Sequence, residues 1–136
     1  MYSYKTKHGR YQLHFENQIL YTEASGIVDL PLSRHFTKDF CALIDESKGS
    51  EAWGHCLNLS KCDIYTEESF AELVFPSRYA YANGCVIDVF QVSSPVLIDQ
   101  LGKMRQAVGV ADPATAHFFN TQQQCIEFLH IYLAKK

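Results

Sequence analysis

Cys85-Val-Ile-Asp-Val-Phe-Gln-Val92, followed at once by Ser93-Ser94-Pro95, is the stretch whose reading decides the fold. Its near-continuous apolar character suits a strand buried on both faces of a parallel sheet. Ser94 offers a hydroxyl to cap a helix, and Pro95 has the fixed φ of a first helical turn, so the strand passes directly into a helix. A buried strand that runs straight into a helix marks an alternating α/β chain, whose next strand returns parallel through a right-handed crossover.

Outward from this stretch the alternation continues. Leu97, Ile98, Leu101, Met104, Ala107 and Val108 fall on one stripe of the helix that Ser94 opens. Ala116-His-Phe-Phe-Asn120 reads as a short last strand. Thr121-Gln-Gln-Gln124 is a capping box, and Cys125, Phe128, Leu129, Tyr132 and Leu133 form the buried face of a final helix. In the other direction, Asn83-Gly84 punctuates the chain. Thr66-Glu-Glu-Ser-Phe70 opens a helix with Thr66 as cap and acidic residues in the first turn, where the helix dipole favours them, and Pro76 is expected to kink or shorten it. Trp53 to Leu59 is apolar enough for a buried strand.

Before it, Leu32, Phe36, Phe40, Leu43 and Ile44 recur at helical spacing up to a stop near Gly49, with Asp29 or a neighbour as cap and Pro31 in the first turn. Tyr11, Leu13 and Phe15 alternate with Gln12 and His14, Glu16-Asn17 interrupts, and Ile19 to Ala24 resumes. This predicts a β-hairpin, from which the chain leaves the sheet through Gly26. The order β-β-α-β-α-β-α-β-α implies a mixed, mostly parallel sheet of about five strands with about four helices. Neither repeat nor linker divides it, so residues 1–136 are expected to form one domain, with disorder confined to the ends and residues 1–9 the candidate segment.

A chain of 136 residues can bury roughly 70% of its unfolded surface around one core. Hydrophobic residues at 47% and charged residues at 20% fit a globular protein. Twelve Lys and Arg against fifteen Asp and Glu give a net charge of −3, which removes any general drive toward nucleic acid or anionic membranes. The first nine residues carry basic groups without the apolar run of about 7 to 15 that a secretory signal needs. No stretch approaches the ~20 apolar residues of a membrane span, so a cytoplasmic protein is expected. Cysteines at 41, 56, 62, 85 and 125, with no Cys-x-x-Cys pair, read as reduced, mostly buried small hydrophobes.

Four stretches together resemble the STAS superfamily, the fold of the sporulation-type anti-sigma-factor antagonists, and its divergent SpoIIAA-like branch of small bacterial proteins. Gly26-Ile-Val-Asp29 is similar to the Gly-x-x-Asp that leaves the early strands. Leu57-Asn-Leu-Ser-Lys61 is similar to the Leu-Asp-Leu-Ser that ends the central strand. Asn83-Gly84 before an apolar strand, and Phe118-Phe119 followed by a polar cap and the helix Gln122 to Leu133, match the closing half. The likeness spans most of residues 10 to 134. It implies a non-enzymatic module that binds other proteins, while some SpoIIAA-like relatives are linked by shape to apolar-ligand or membrane-associated domains. In the sporulation-type relatives an Asp-Ser-Ser-Gly follows the central strand and its second serine takes a phosphate. Here Thr66-Glu67-Glu68-Ser69 falls on that motif, so the acceptor position is Glu68 and the switch is expected to be missing.

Catalytic constellations are absent from the pattern. There is no nucleophile elbow, no Gly-rich phosphate loop and no His-Glu-x-x-His, and neither metal nor cofactor is expected. His55, Cys56, Cys62 and Asp63 bracket one strand, but neighbours on a strand point to opposite faces, which argues against a zinc site. Cys125, in the first turn of a helix, has the best position for a thiolate, although a packing role is the commoner one. His117 and His130 are expected at sheet and helix surfaces.

Ligands of α/β sheets usually bind where strands end and helices begin. That points to two loops, Ser60 to Thr66 and Ser93 to Pro95, and to Ser60, Thr66, Glu67, Glu68, Ser69, Ser93 and Ser94 as a ligand or partner surface. Phe36, Phe40, Phe75, Tyr79 and Tyr81 are candidates for an apolar pocket between the first two helices and the sheet, or for a homodimer face. The expected partner is accordingly a regulatory protein or a small apolar ligand or lipid.

Overall fold

The computed structural model describes residues 1–109 and 117–135. Its elements run β1 (Tyr2–Lys5), β2 (Gly9–Glu16), β3 (Ile19–Val28), α1 (Leu30–Ser47), β4 (Trp53–Tyr65), α2 (Glu67–Ala82), β5 (Cys85–Gln91), α3 (Pro95–Val108), β6 (Phe118–Phe119) and α4 (Gln122–Ala134). One six-stranded sheet carries them in the order β1-β2-β3-β4-β5-β6. The first three strands are antiparallel neighbours, and β3 to β6 are parallel. The expected mixed α/β architecture is therefore present, with one strand more than anticipated.

Capping chemistry set the helix starts. The Asp29 carboxylate accepts from Leu32 N at 3.1 Å, Thr66 caps α2, Ser94 Oγ accepts from Leu97 N at 3.3 Å, and Thr121 with Gln124 completes the capping box of α4. The β2–β3 hairpin closes on Asn17 and Gln18, both at positive φ, so that Glu16 pairs with Ile19. Such a two-residue turn has the twist that neighbouring strands need.

Three expectations are corrected. Residues 1–9 do not hang loose: Tyr2–Lys5 pairs with β2, Tyr2 Oη donates to Glu46 of α1, and the Tyr4 ring stacks on His35 at 3.5 Å. Pro76 does not shorten α2, which runs through it to Ala82 with the ring buried. Only the bond to the carbonyl of residue 72 is forfeited, and packing of the helix offsets it. Third, the segment expected as the loop Ser60 to Thr66 is strand as far as Tyr65. Along it β3 advances from Glu23 to Ile27 while β4 advances from Asn58 to Ile64, so β4 accommodates extra residues as bulges. The bulges erase the period-two pattern, and the exposed Ser60, Lys61 and Asp63 then look like a loop in sequence. At the same bend Gly26 has φ +79°, and a Cβ there would lie 2.3 Å from the carbonyl oxygen of His8.

Successive right-handed crossovers put α1, α2 and α3 on one face, where they bury the larger core with Leu32, Phe40, Leu73 and Leu101. The other face is covered by α4 over Ile19, Cys56, Ile87 and Val89. β6 is shorter than the expected Ala116 to Asn120, and Ala116 lies outside the described residues. His117, expected at a surface, is buried, whereas His130 is exposed.

Candidate functional site

Between α1, α2, α3 and the sheet lies a cavity of about 80 Å³. Most of its wall is apolar, from residues such as Leu59, Leu73, Leu101 and Met104. Its floor is polar. His55 on β4 pairs in register with Asp88 on β5, so the two side chains emerge side by side on the helix face of the sheet. His55 Nε2 lies 2.6 Å from Thr22 Oγ1 of β3, and its ring is 5.0 Å from that of Phe40. Asp88 accepts from Tyr81 Oη of α2 at 2.6 Å and from Arg105 Nη1 of α3. Three helices and three strands thus meet around one buried ion pair.

Burial governs the charge of this group. It lowers the His55 imidazole to about 4, against a smaller opposing pull from the Asp88 carboxylate, so His55 is neutral at pH 7. Burial also raises the Tyr81 phenol, with Asp88 adding to the effect, and raises the Cys85 thiol. The cluster consequently offers hydrogen-bonding groups rather than a nucleophile. On the opposite face, a hydrogen bond from Cys56 lowers the Cys125 thiol, yet both sulfurs are buried. His55 and Cys56 point to opposite faces, as strand geometry demands, and among the described residues no group of three His, Cys, Asp or Glu side chains is placed to hold a metal ion.

The residues singled out in sequence divide into two places. Phe36, Phe40 and Tyr81 line the cavity. Phe75 and Tyr79 do not: Phe75 is 60% exposed, and Tyr79 Oη donates to Asp45 on α1. Thr66 and Ser94 cap helices that follow parallel strands, which brings them to the same end of the sheet, and Gln100 of α3 bonds both Tyr65 N (3.1 Å) and Tyr65 O (2.9 Å). Glu67, Glu68, Ser60 and Ser93 are exposed near that end, with Ser60 Oγ donating to Asn58 Oδ1 at 2.8 Å. Ser69 is different. It is fully buried, and its hydroxyl is hydrogen-bonded to Ser33 of α1.

Thr22, Asp88 and Arg105 were not marked by motif reading. A signal existed, however: Asp88 interrupts an otherwise apolar strand, and Arg105 sits on the stripe between Leu101 and Val108. Two opposite charges on two faces that must both be buried call for each other.

No family model matches the sequence, and no curated protein matches it. Among solved structures the chain is similar to the anti-sigma factor antagonist SpoIIAA in its unphosphorylated form, with a TM-score of 0.64 and 12% identity over 88% of this chain and 96% of that one. An anti-sigma factor antagonist from Mycobacterium paratuberculosis gives a TM-score of 0.62 at 9% identity, covering 90% and 94% of the two chains. The murine Solute Carrier 26 family member A9 anion transporter gives 0.63 at 15% identity, over 84% of this chain but 18% of the transporter. The fold is thus the SpoIIAA-like fold of the STAS domains.

Proposed function

We propose that the chain is a non-enzymatic regulatory module that binds a protein partner through the carboxyl end of β4 and β5, without a phospho-acceptor serine. The observation that carries this reading is the contrast at the start of α2: Ser69 is sealed against Ser33, while Glu68, at the acceptor position implied by the family resemblance, is exposed. A carboxylate there complements the helix dipole with one charge instead of the nearly two of a phosphate. SpoIIAA has been solved in a phosphorylated form, a state that belongs to that protein. Ile64 at the end of β4 and Val96 at the start of α3 are exposed at the same end of the sheet as the acidic pair, so the surface suits a partner with an apolar contact and a basic rim. The module takes no nucleic acid in this reading, consistent with its net charge of −3. Among the described residues no helix is long and apolar enough to cross a membrane.

Incubation with ATP and extract of the source cell tests the reading. Thr66 and Ser69 are expected to remain without stoichiometric phosphate, and Glu68→Lys is expected to lose a partner that the native chain retains. Stoichiometric phosphate on either residue overturns it. A homodimer through α2 would rest on Phe75, since Tyr79 is engaged by Asp45 and Tyr81 by Asp88. A monomer in light scattering at tens of micromolar, an order-of-magnitude range for a useful homodimer, removes that part.

The cavity favours a second reading, in which the chain also binds a small, mainly apolar molecule. Its volume suits a small compound rather than a lipid. Xenon or a small hydrocarbon should bind saturably and shift the methyl signals of Leu101 and Met104, and no saturable binding of any small probe overturns it.

A further inference from the structure

The small-molecule reading leaves the chemistry of the occupant open, and the floor of the cavity narrows it. Arg105 is 4% exposed and lines the cavity. Its Nη1 is spent on Asp88, and its Cζ stands 6.0 Å from the centre of the Phe90 ring. Its Nε–H, by contrast, has no acceptor among the described residues. Native interiors rarely leave a buried donor unpaired, because removing it from water without a replacement bond costs stability.

Charge limits what can meet that donor. Asp88 already balances Arg105, and burial keeps His55 neutral at pH 7. A carboxylate or phosphate would enter beside Asp88 with no counter-charge, and a cation would enter beside Arg105, so either ion would be buried unpaired. A plain hydrocarbon would fill the apolar wall and leave the Nε–H unsatisfied. Volume sets the scale: about 80 Å³ is near half of the roughly 150 Å³ that accepts benzene, which corresponds to about three to five non-hydrogen atoms.

We propose that the cavity binds a small uncharged organic molecule with a single hydrogen-bond acceptor, an ether or carbonyl oxygen, which takes the Arg105 Nε–H while its carbon skeleton lies against Leu101, Met104 and Leu59. The inference rests on the small-molecule reading above and specifies its ligand class.

Tetrahydrofuran and cyclopentane are rings of nearly one shape that differ by a single acceptor oxygen, and propionate has a similar size with a negative charge. Each is titrated into the full chain while the Arg105 Nε–H and the Met104 methyl are followed by NMR. Tetrahydrofuran is expected to shift both signals saturably and to bind about fivefold more tightly than cyclopentane, the worth of one net hydrogen bond. Propionate is expected to give no saturable shift. Arg105→Lys keeps a cation for Asp88 but has no Nε–H, and is expected to bind the two rings equally. Equal binding of the rings by the native chain overturns the acceptor inference and leaves the small-molecule reading standing. Tighter binding of propionate overturns the requirement for a neutral ligand. If neither ring nor xenon binds, both readings fall. Should Arg105→Lys not fold, the three probes on the native chain decide the matter alone.

Discussion

The two faces of the sheet are packed by different means. Under α4, Ile19, Cys56, Ile87, Val89, Cys125 and Leu129 close into an apolar cluster in which each member is buried. Under α1, α2 and α3 a much larger cluster surrounds a cavity of about 80 Å³ and holds an ion pair, a neutral histidine and a tyrosine hydroxyl. Apolar groups can fill a narrow slot completely, whereas three helices meeting over a twisted sheet leave space where polar groups can sit. Stability and binding are thereby divided between the faces: the described cluster under α4 is closed and apolar, and the other face retains room and hydrogen-bonding groups.

The largest expected effect probes the polar floor. Arg105→Met leaves Asp88 against the cavity without its cation and is expected to cost about 4 kcal/mol in urea unfolding, with Asp88→Asn in the same chain restoring most of it. A loss below about 1 kcal/mol would mean that the pair is solvated and that the faces differ less than described. Next comes the packing itself. Leu129→Ala, on the closed face, is expected to cost about 4 kcal/mol, and Leu73→Ala, at the cavity wall, about 2 kcal/mol, because a side chain beside a void has fewer contacts to lose. Equal losses would break the comparison.

Acid sharpens it further. His55 titrates near about 4 in the folded chain against 6.5 unfolded. The unfolded chain therefore binds the additional proton between those values, and stability falls as pH drops through that window. From pH 7.5 to 4.5 the His55 contribution to this loss is roughly 2.5 kcal/mol, measured as the difference between the stability lost over that range by the native chain and by His55→Asn. Smallest is Thr66→Ala, expected to cost about 1 kcal/mol through loss of the cap on α2 while leaving probe binding in the cavity unchanged.

What sequence made legible follows from the range of each cause. Asp29, Thr66, Ser94 and Thr121 act on backbone within three residues, and Asn17 shapes the turn it occupies, so these features are readable where they stand. The same is true of Cys85 to Gln91, whose composition reports burial on both faces. β1 escaped notice because its half-exposed alternation is meaningful only with α1 beneath it, supplying Glu46 and His35. The second half of β4 escaped because its bulges answer to the register of β3. The cavity floor is harder still: Thr22, His55, Asp88 and Arg105 come from four separate elements, and only the assembled sheet brings them together.

That α4 covers the smaller face has a consequence for how the chain is made. Every strand pairs with its neighbour in sequence, so the sheet can grow in the order in which residues leave the ribosome, without waiting for distant partners. Ile19 and Cys56 are in place early, yet their cover, α4, comes after all the other described elements in the chain. Until Leu129 arrives, the growing protein presents an uncovered apolar strip to the cell, and a chain stopped short of α4 is the form that chaperones and proteases are best equipped to recognise.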